Sequence, residues 1–270
     1  MTEQHPVIPG AEPWSSPGSG DRAGSGAVIV HGFTGNPIST RPLGEALAAR
    51  GFRVEVVRLP GHGTHWRDML RTRYQDWYGE VDRAVDALRP ECPAVFLVGL
   101  SMGGTIVLDV ASRRPDDIAG VVSINAAVLD REGLVARLAP IIARLIPALP
   151  AAAANIVKND TARDGVDEQA YGWVPMKAAQ SVLAELPRIR SQLGGLAVPV
   201  LAVYSALDRS VPPDNTRAIP GLVGDGGHVD LLELARSRHL ATLDLDRDEL
   251  FDRVAAFMDQ RSIDDEQSIR

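Results

Sequence analysis

One serine lies in a setting that suits nucleophilic catalysis. Gly99, Ser101 and Gly103 form a Gly-x-Ser-x-Gly sequence, which occurs once in the chain. In a sharp strand-to-helix turn, a side chain at either glycine would collide with its neighbours, and the serine is left projecting at the carboxyl end of the strand. Ser101 is therefore the candidate nucleophile. The alternative is a serine in an ordinary turn between a strand and a helix.

The elements on either side of Ser101 favour the nucleophile. The apolar run at residues 94–98 is typical of a parallel strand that is buried on both faces, and residues 105–111 continue as a helix. Met102 then lies at the amino end of that helix, where its backbone N–H points to the position in which an oxyanion would form. Met102 is the first expected donor of an oxyanion hole.

A glycine-bearing loop supplies the second expected donor. The short apolar strand at residues 27–30 runs into His31-Gly-Phe-Thr-Gly35. In hydrolases with a Gly-x-Ser-x-Gly turn, the second donor is a backbone N–H in the loop that follows this strand. The position after His31-Gly32 is Phe33, which is therefore predicted to donate. A plain tight turn is the alternative.

The catalytic base is expected late in the chain, because this class of hydrolase has the order serine, acid, histidine. That order excludes the histidines that precede Ser101, which are His5, His31, His62 and His65. His228 begins the last predicted strand, at residues 229–234, and so lies at the opposite edge of a parallel sheet from Ser101. His239 follows the strand and is the predicted base.

The predicted acid follows a buried strand at residues 198–205. Asp208 lies just past the carboxyl end of this strand, at the edge where Ser101 and His239 are expected. A turn-forming aspartate is the alternative role for Asp208, and Asp214 is its rival for the acid. In this triad, Ser101 attacks an ester carbonyl, His239 accepts and later returns a proton, and Asp208 orients the imidazole.

Composition and charge narrow the range of partners. The chain has 270 residues, with 28 Lys and Arg against 35 Asp and Glu, and a net charge of −7. It has no cluster of basic residues of the kind that binds nucleic acid or an anionic membrane. A small neutral substrate is expected. Cys92 is the only cysteine, which excludes an intramolecular disulfide, and the amino terminus carries no signal-peptide pattern. A cytoplasmic protein is predicted.

The order of the elements predicts an α/β fold with a mostly parallel central sheet and helices on both faces. Residues 1–26, rich in Pro, Gly and Ser, are predicted to be an irregular leader, and residues 27–270 a single domain with an insertion at about 127–175. The remaining predicted helices are at 41–50, 76–88, 175–192 and 246–258, and the remaining strands at 53–59 and 118–125. The charged tail after residue 258 is expected to be frayed.

The insertion contains a strongly apolar stretch at residues 134–150. Arg137, Arg144 and three prolines in this stretch exclude a helix that crosses a bilayer. Two interpretations remain, a lid whose underside lines an acyl pocket and a satellite helix that covers the sheet. The insertion begins at the carboxyl end of a strand, where ligands bind in open α/β sheets, and this position favours a lid.

Two histidines close to each other raise the question of a metal. His62 and His65 lie in Pro60-Gly-His-Gly-Thr-His-Trp66, but they supply two ligands at most, and no Cys or carboxylate pattern completes a zinc site. They are predicted to hold a loop near the mouth of the site. No metal and no cofactor are expected.

Six segments of the chain carry a resemblance. They are His31-Gly-Phe-Thr-Gly, Arg41-Pro-Leu, Gly61-His-Gly-Thr-His, Gly99-Leu-Ser-Met-Gly-Gly-Thr, Ile124-Asn-Ala-Ala-Val and His239-Leu-Ala-Thr-Leu-Asp. In this order they resemble the motifs of bacterial monoacylglycerol lipases and related small carboxylesterases of the α/β-hydrolase superfamily. The resemblance implies the α/β-hydrolase fold with a small cap, the triad and oxyanion donors derived above, and substrate binding by the cap residues Glu168 and Ile156. Glu168 is implied to contact the glycerol head group.

The leading functional hypothesis is a serine hydrolase that cleaves monoacylglycerols or other single-chain carboxylic esters through an acyl-enzyme. A broader carboxylesterase, thioesterase or amidase and a non-catalytic ligand-binding homologue remain as alternatives. Ser101 argues against dehalogenases and epoxide hydrolases, which carry Asp at the elbow. The expected partner is a small ester, with no nucleic acid and no stable membrane insertion, although the cap could make transient contact with a lipid interface.

Overall fold

The computed structural model describes residues 5–129, 134–154, 157–224 and 227–268. The strands are β1 (Trp14–Ser16), β2 (Ser25–Val30), β3 (Arg53–Val56), β4 (Ala94–Leu100), β5 (Gly120–Ile124), β6 (Ala148–Pro150), β7 (Trp173–Pro175), β8 (Val200–Ser205) and β9 (Val229–Leu234). The helices are α1 (Arg41–Ala49), α2 (Trp66–Met69), α3 (Tyr74–Leu88), α4 (Met102–Arg113), α5 (Leu134–Leu145), α6 (Met176–Leu193), α7 (Asp214–Arg217), α8 (Ile219–Val223) and α9 (Arg247–Ser268).

Within these described residues, seven strands form one sheet in the order β1-β3-β2-β4-β5-β8-β9. Strand β1 pairs antiparallel with β3, and the other neighbours in this sheet pair in parallel. The carboxyl ends of β2, β4, β5, β8 and β9 therefore meet at one edge, which is where ligands bind in sheets of this kind. The mostly parallel sheet predicted from the sequence is confirmed.

Helices cover both faces of the sheet. One core cluster joins the sheet to α3, α4, α6 and α8, with Trp77, Ile106 and Ile189 fully or almost fully buried in it. The other joins the opposite face to α1 and α9 through Leu43 and Leu250. All seven residues of β4 are buried, because this central strand is covered on both sides. The continuous apolar run before Ser101 therefore has the environment that its composition predicts.

Three of the differences between predicted and observed elements have a clear structural cause. Trp14–Ser16 forms a strand within the stretch predicted to be irregular, because it pairs with β3 and extends the sheet by one antiparallel strand. Strand β3 ends at Val56 rather than at residue 59, since the chain then turns and the Leu59 N–H donates to His31. Helix α9 continues to Ser268 through the charged tail, which contains no glycine or proline to end it.

The inserted segment contains α5, β6 and β7. Strands β6 and β7 form a separate antiparallel pair, and α5 packs against α6. Helix α5 leaves Ile141 and Leu145 exposed, with Leu145 at 78%. The boundaries of the insertion and its role as a lid stay predictions. Among the described residues, no helix is long and apolar enough to cross a membrane.

A buried carboxylate anchors the helix that begins after Ser101. Asp109 in α4 is fully buried and accepts hydrogen bonds from both terminal nitrogens of Arg188, at 2.9 and 2.8 Å. It also accepts from Arg113 Nε at 3.0 Å and from the Tyr74 hydroxyl at 2.8 Å. Because a buried charge that loses its partners costs about 3–5 kcal/mol, this cluster ties α4 firmly to α3 and α6.

Candidate active site

The turn at Ser101 is held in a strained conformation. Ser101 has φ 58° and ψ −122°, in a region that residues with a side chain rarely adopt. A Cβ atom at Gly99 would overlap the carbonyl group of Gly103, and a Cβ atom at Gly103 would overlap the carbonyl of Val30. The Ser101 N–H donates to the Ile124 carbonyl of β5 at 2.8 Å. This geometry is typical of a nucleophile elbow.

The loop after β2 lies directly against the elbow. A Cβ atom at Gly32 would lie 3.1 Å from the Cβ atom of Ser101, so only glycine leaves this close approach undisturbed. Thr34 has φ 62°, which turns the loop back on itself, and its carbonyl accepts from the Tyr171 N–H at 3.0 Å. Phe33 therefore lies between two fixed residues, and Met102 begins α4, where its N–H has no acceptor within the helix.

His31 is a neutral part of this loop. It is fully buried, Leu59 N–H donates to its Nε2 at 3.2 Å, and its Nδ1 lies 2.9 Å from the Gly32 carbonyl. Since Nε2 accepts, the ring proton is on Nδ1 and donates to Gly32. Burial, assisted by the charge of Arg58 and opposed by the bond to Gly32, lowers the pKa of His31 to about 4. His31 thus fixes the loop without carrying charge at neutral pH.

Asp208 and His239 are brought together at the carboxyl edge of the sheet. His239 Nδ1 lies 2.8 Å from Asp208 Oδ2, and the Asp208 side chain is buried while that of His239 is 12% exposed. The other carboxylate oxygen of Asp208 accepts from the backbone N–H groups of Ser210 at 2.7 Å and Val211 at 2.9 Å. With its carboxylate held at both oxygens, Asp208 can orient the imidazole in one plane.

The two rival residues lie elsewhere. Asp214 is the first residue of α7, its side chain is 81% exposed, and it pairs with Arg217. His228 precedes β9, its side chain is 58% exposed, and it pairs with Asp230. Neither rival has a hydrogen bond to Ser101, Asp208 or His239 in the described part of the chain.

The charge around His239 favours its protonated form. Burial alone lowers the pKa of His239, but the hydrogen bond and charge of Asp208, with the charges of Glu168 and Asp160, outweigh it and raise that pKa above the ordinary value. These carboxylates would stabilise the imidazolium that forms when a histidine accepts a proton from a serine. The site is therefore arranged electrostatically for a histidine base.

Asn125 is a site residue whose contacts the sequence did not reveal. It follows β5 with φ 49°, and its Nδ2 donates to the His239 carbonyl at 2.8 Å and to Ser205 Oγ at 3.0 Å. Its Oδ1 accepts from the Ser205 N–H at 2.7 Å. The sequence offered one signal, an asparagine at the carboxyl end of a strand, since Asn tolerates positive φ better than most residues. Asn125 joins the ends of two strands to the backbone of His239.

Glu168 lies inside the site. It is buried, its backbone carbonyl accepts from Asn36 Nδ2 at 2.8 Å, and a Cβ atom at Gly35 would lie 3.2 Å from its Oε2. Burial, opposed by the neighbouring His239, raises the pKa of Glu168 to about 7. This carboxyl group therefore lies between the loop after β2 and His239. The other cap residue implied by the resemblance, Ile156, lies outside the described residues.

His62 and His65 have packing and capping contacts. His62 is buried, and its ring lies 5.2 Å from the ring of Trp77 and 5.0 Å from that of His31. Burial lowers its pKa well below the ordinary value. His65 caps α2, where its Nδ1 accepts from the Arg67 N–H at 3.2 Å. Across the described ranges, no three His, Cys, Asp or Glu side chains are grouped so as to hold a metal ion.

The mostly parallel sheet, the turn at Ser101 and the contact between Asp208 and His239 at the sheet edge show that the protein is an α/β-hydrolase with a serine at the nucleophile elbow. The profile of the family described as "Serine aminopeptidase, S33" matches residues 25–246. A thermostable monoacylglycerol lipase of Bacillus sp. (strain H-257) is 36% identical over 267 residues, which cover 95% of this chain and 98% of that lipase. The chain belongs to the family whose profile matches residues 25–246, and it is a carboxylic ester hydrolase.

Further similarities agree with this placement. A carboxylesterase of Bacillus subtilis is 25% identical, with 89% of this chain and 94% of that enzyme covered. A solved structure reported for LipS and LipT, two metagenome-derived lipolytic enzymes, has a TM-score of 0.84 and 34% identity, covering 94% of this chain and 100% of that one. The Paleococcus ferrophilus monoacylglycerol lipase shares the fold, with a TM-score of 0.71, 21% identity, and coverage of 87% and 94%.

We predict that kcat/KM falls on the acid side of its pH profile, here called the acid limb, at a pH above the ordinary imidazole pKa of about 6.5. A histidine base acts only when neutral, and its carboxylate neighbours raise the pKa of His239, so activity should fall as pH drops through that raised value. Because the Glu168 charge contributes to this rise, Glu168→Gln should move the limb to lower pH. Rates on a short nitrophenyl ester from pH 4 to 9 test this. A limb that stays at the same pH in both proteins contradicts it.

Proposed function

We propose that this chain hydrolyses monoacylglycerols through an acyl-enzyme, with Ser101, Asp208 and His239 as its triad. The observation that carries the proposal is the Asp208–His239 hydrogen bond of 2.8 Å at the sheet edge where Ser101 occupies its strained turn. The name of the 36% identical Bacillus relative, a monoacylglycerol lipase, supports the substrate class.

In the proposed acylation step, Ser101 Oγ attacks the ester carbonyl carbon while His239 Nε2 accepts the hydroxyl proton. The carbonyl oxygen becomes an oxyanion, which the N–H groups of Phe33 and Met102 stabilise. The carbon–oxygen bond to glycerol then breaks, and His239 returns the proton to the leaving alkoxide. In deacylation, water attacks the acyl-enzyme by the same route and releases the fatty acid.

The position of Glu168 supports recognition of a glycerol head group. A free hydroxyl must find a hydrogen-bonding partner when it leaves water, and an alcohol leaving from Ser101 would pass beside His239, where the Glu168 carboxyl group lies. With a pKa of about 7, this group can either donate or accept a hydrogen bond near neutral pH. Glu168 would therefore favour leaving groups that carry free hydroxyls.

A carboxylesterase of broader range is the second candidate. It is favoured by the similarity to the Bacillus subtilis carboxylesterase, which covers 89% of this chain. The same acyl-enzyme chemistry serves any leaving group, so the two candidates differ only in recognition of the alcohol. The substrate dependence of a Glu168 variant separates them.

We predict that Ser101→Ala and His239→Ala each lower kcat by roughly 10³-fold or more, and that Asp208→Asn also removes most of the turnover. The three side chains act as one unit, so their effects should not add. An active-site fluorophosphonate should label the native protein and not Ser101→Ala. The matched controls are Asp214→Asn and His228→Ala, which alter the exposed rivals and should keep native turnover. A larger loss in Asp214→Asn than in Asp208→Asn would overturn the choice of acid.

We predict that, at a pH well above the acid limb, Glu168→Ala slows monoacylglycerol hydrolysis and spares nitrophenyl esters, whose leaving group carries no free hydroxyl. Loss of one such contact should cost roughly 0.5–3 kcal/mol in kcat/KM. Asp164→Ala, which removes an exposed carboxylate from the same segment, is the control and should leave both rates unchanged. Equal slowing of both substrates would show that Glu168 does not recognise the head group.

We further predict transient contact between the cap and a lipid interface. Ile141, Leu145 and Trp173 are exposed apolar residues of the inserted segment. Leu145→Ser should lower the fraction of protein that co-sediments with phosphatidylcholine vesicles, because Leu145 is 78% exposed and would bury its side chain among the lipids. Leu231→Ser, on exposed strand β9, is the control. Equal binding by both variants and the native protein argues against contact through the cap.

A further inference from the structure

One cap residue is bonded to the loops of both Asp208 and His239. The side chain of Asp160 is fully buried, and its carboxylate accepts from the backbone N–H of Arg209 at 3.0 Å and from Arg209 Nε at 2.9 Å. Its backbone carbonyl accepts from the Leu240 N–H at 3.0 Å. Arg209 directly follows Asp208, and Leu240 directly follows His239. A single residue therefore holds the neighbour of each member of the pair.

We propose that Asp160 is a positioning residue, which sets the separation and orientation of Asp208 and His239 by holding the residue that follows each of them. This inference rests on the proposed triad and assigns a catalytic consequence to a cap residue that lies outside it. Asp160 acts through its neighbours, since in the described structure its own hydrogen bonds go to Arg209, Ser210 and Leu240.

The chemistry of Asp160 explains why it can act as a fixed point. A buried carboxylate is costly unless it is paired and hydrogen-bonded, so it holds its donors strongly. Arg209 closes one side of the carboxylate with Nε and with Nη2, at 2.8 Å, and the Ser210 hydroxyl lies 3.4 Å away on the other oxygen. If the loop of Asp208 moved away from Asp160, the buried carboxylate would lose its hydrogen bonds to Arg209 and Ser210.

A second carboxylate fixes the same cap segment to the residue before His239. Asp244 accepts from the backbone N–H groups of Ala162 at 2.8 Å and Arg163 at 2.9 Å. It also accepts from the Arg238 N–H at 2.8 Å. Both neighbours of His239 are therefore linked to residues 160–163. Leu240 is bonded to this segment directly, and Arg238 is linked to it through the Asp244 carboxylate. Residues 160–163 are therefore connected by hydrogen bonds to the loops of Asp208 and His239.

Asp246 is a buried carboxylate with similar donors, but it does not connect two loops. Its carboxylate accepts from the backbone N–H and Nε of Arg236, at 2.8 and 2.6 Å, and from the Ser237 hydroxyl at 2.9 Å. These are the donor types that Asp160 receives from Arg209 and Ser210. Asp246 and its donors all lie in the chain segment around His239, however, so Asp246 braces one loop. Asp160 joins two loops, which makes it the residue that can set their spacing.

The experiment compares kcat and KM of the native protein and Asp160→Asn on nitrophenyl butyrate. Asparagine has nearly the same shape, but its amide group offers one acceptor oxygen and places a donor against Arg209. We expect kcat to fall by roughly 10- to 100-fold, because small misplacements of catalytic groups have effects of this size, while KM changes less than about 3-fold. Titration of the active sites with a fluorophosphonate sets the concentration of competent protein and removes any misfolded fraction from the comparison.

The pH profile separates geometry from charge. The charges of Asp208, Glu168 and Asp160 raise the pKa of His239, so Asp160→Asn should move the acid limb to lower pH. At a pH well above the limb, His239 is neutral in both proteins. A loss of kcat that persists there therefore reports displaced side chains rather than a changed fraction of protonated base. A kcat within about 2-fold of the native value at that pH would overturn the proposal, whether or not the limb moves.

Two further variants keep the test decisive. Asp117→Asn also removes an Arg-paired carboxylate, bonded to Arg114 and Arg89, but Asp117 precedes β5 at the opposite edge of the sheet, so the variant should lower stability and keep the native kcat per titrated site. Equal losses of kcat in both variants would show that stability alone is responsible. If Asp160→Asn does not fold, Asp160→Glu retains the charge while pushing the loops apart by one methylene group. A native kcat in Asp160→Glu would then overturn the proposal.

The outcomes also separate this inference from the proposed function. If Ser101→Ala retains turnover, or the fluorophosphonate does not label the native protein, the proposed triad is wrong. If Ser101→Ala is inactive and Asp160→Asn has native kinetics, the triad stands and only the positioning role of Asp160 fails.

Discussion

The site depends on the close approach of the Ser101 turn to the strand beside it. The backbone of Ser101 is held at φ 58°, a strain of order 1–3 kcal/mol that persists only when the surroundings enforce it. Here β4 is buried along its whole length, Gly103 lies against the Val30 carbonyl, and the Ser101 N–H is bonded to β5. The large apolar core thus supplies the constraint that keeps the turn at Ser101 in its strained conformation.

Carboxylate charge distinguishes His239 from His31 and His62. The hydrogen bond and charge of Asp208, with the charges of Glu168 and Asp160, raise the pKa of His239 although burial opposes the rise. His31 and His62 are fully buried, and no carboxylate charge offsets the effect of burial there, so their pKa values are lowered and both rings stay neutral. The same residue type therefore serves as a structural ring in one loop and as the candidate base in another, because the surrounding charge differs.

The sequence predicted the features that depend on local pattern. The apolar run before Ser101, the glycines around it and the loop at Phe33 follow fixed spacings, so their elements could be placed from the chain alone. Chain order and sheet edge were enough to choose Asp208 and His239, and the structure brings these two into contact. Their catalytic roles remain a proposal, but their juxtaposition required no knowledge of distant contacts.

Features that depend on distant partners were not predictable in this way. Trp14–Ser16 becomes a strand only because β3 offers an edge to pair with. The contacts of Asn125 and Asp160 join residues separated by 114 and 49 positions, respectively. No periodicity encodes such pairs, and a short polar side chain in a loop resembles any other until its partner is known. The tertiary bonds that fix the candidate site are therefore the part of it that the sequence conceals.

The inserted segment combines an exposed helix with residues that are bonded to the loops of Asp208 and His239. Helix α5 presents Leu145 to solvent, whereas the Tyr171 N–H donates to the Thr34 carbonyl at 3.0 Å and the Asn36 amide donates to the Glu168 carbonyl at 2.8 Å. Any movement of residues 160–171 would therefore break bonds to the loop of Phe33 as well as to the loops of Asp208 and His239.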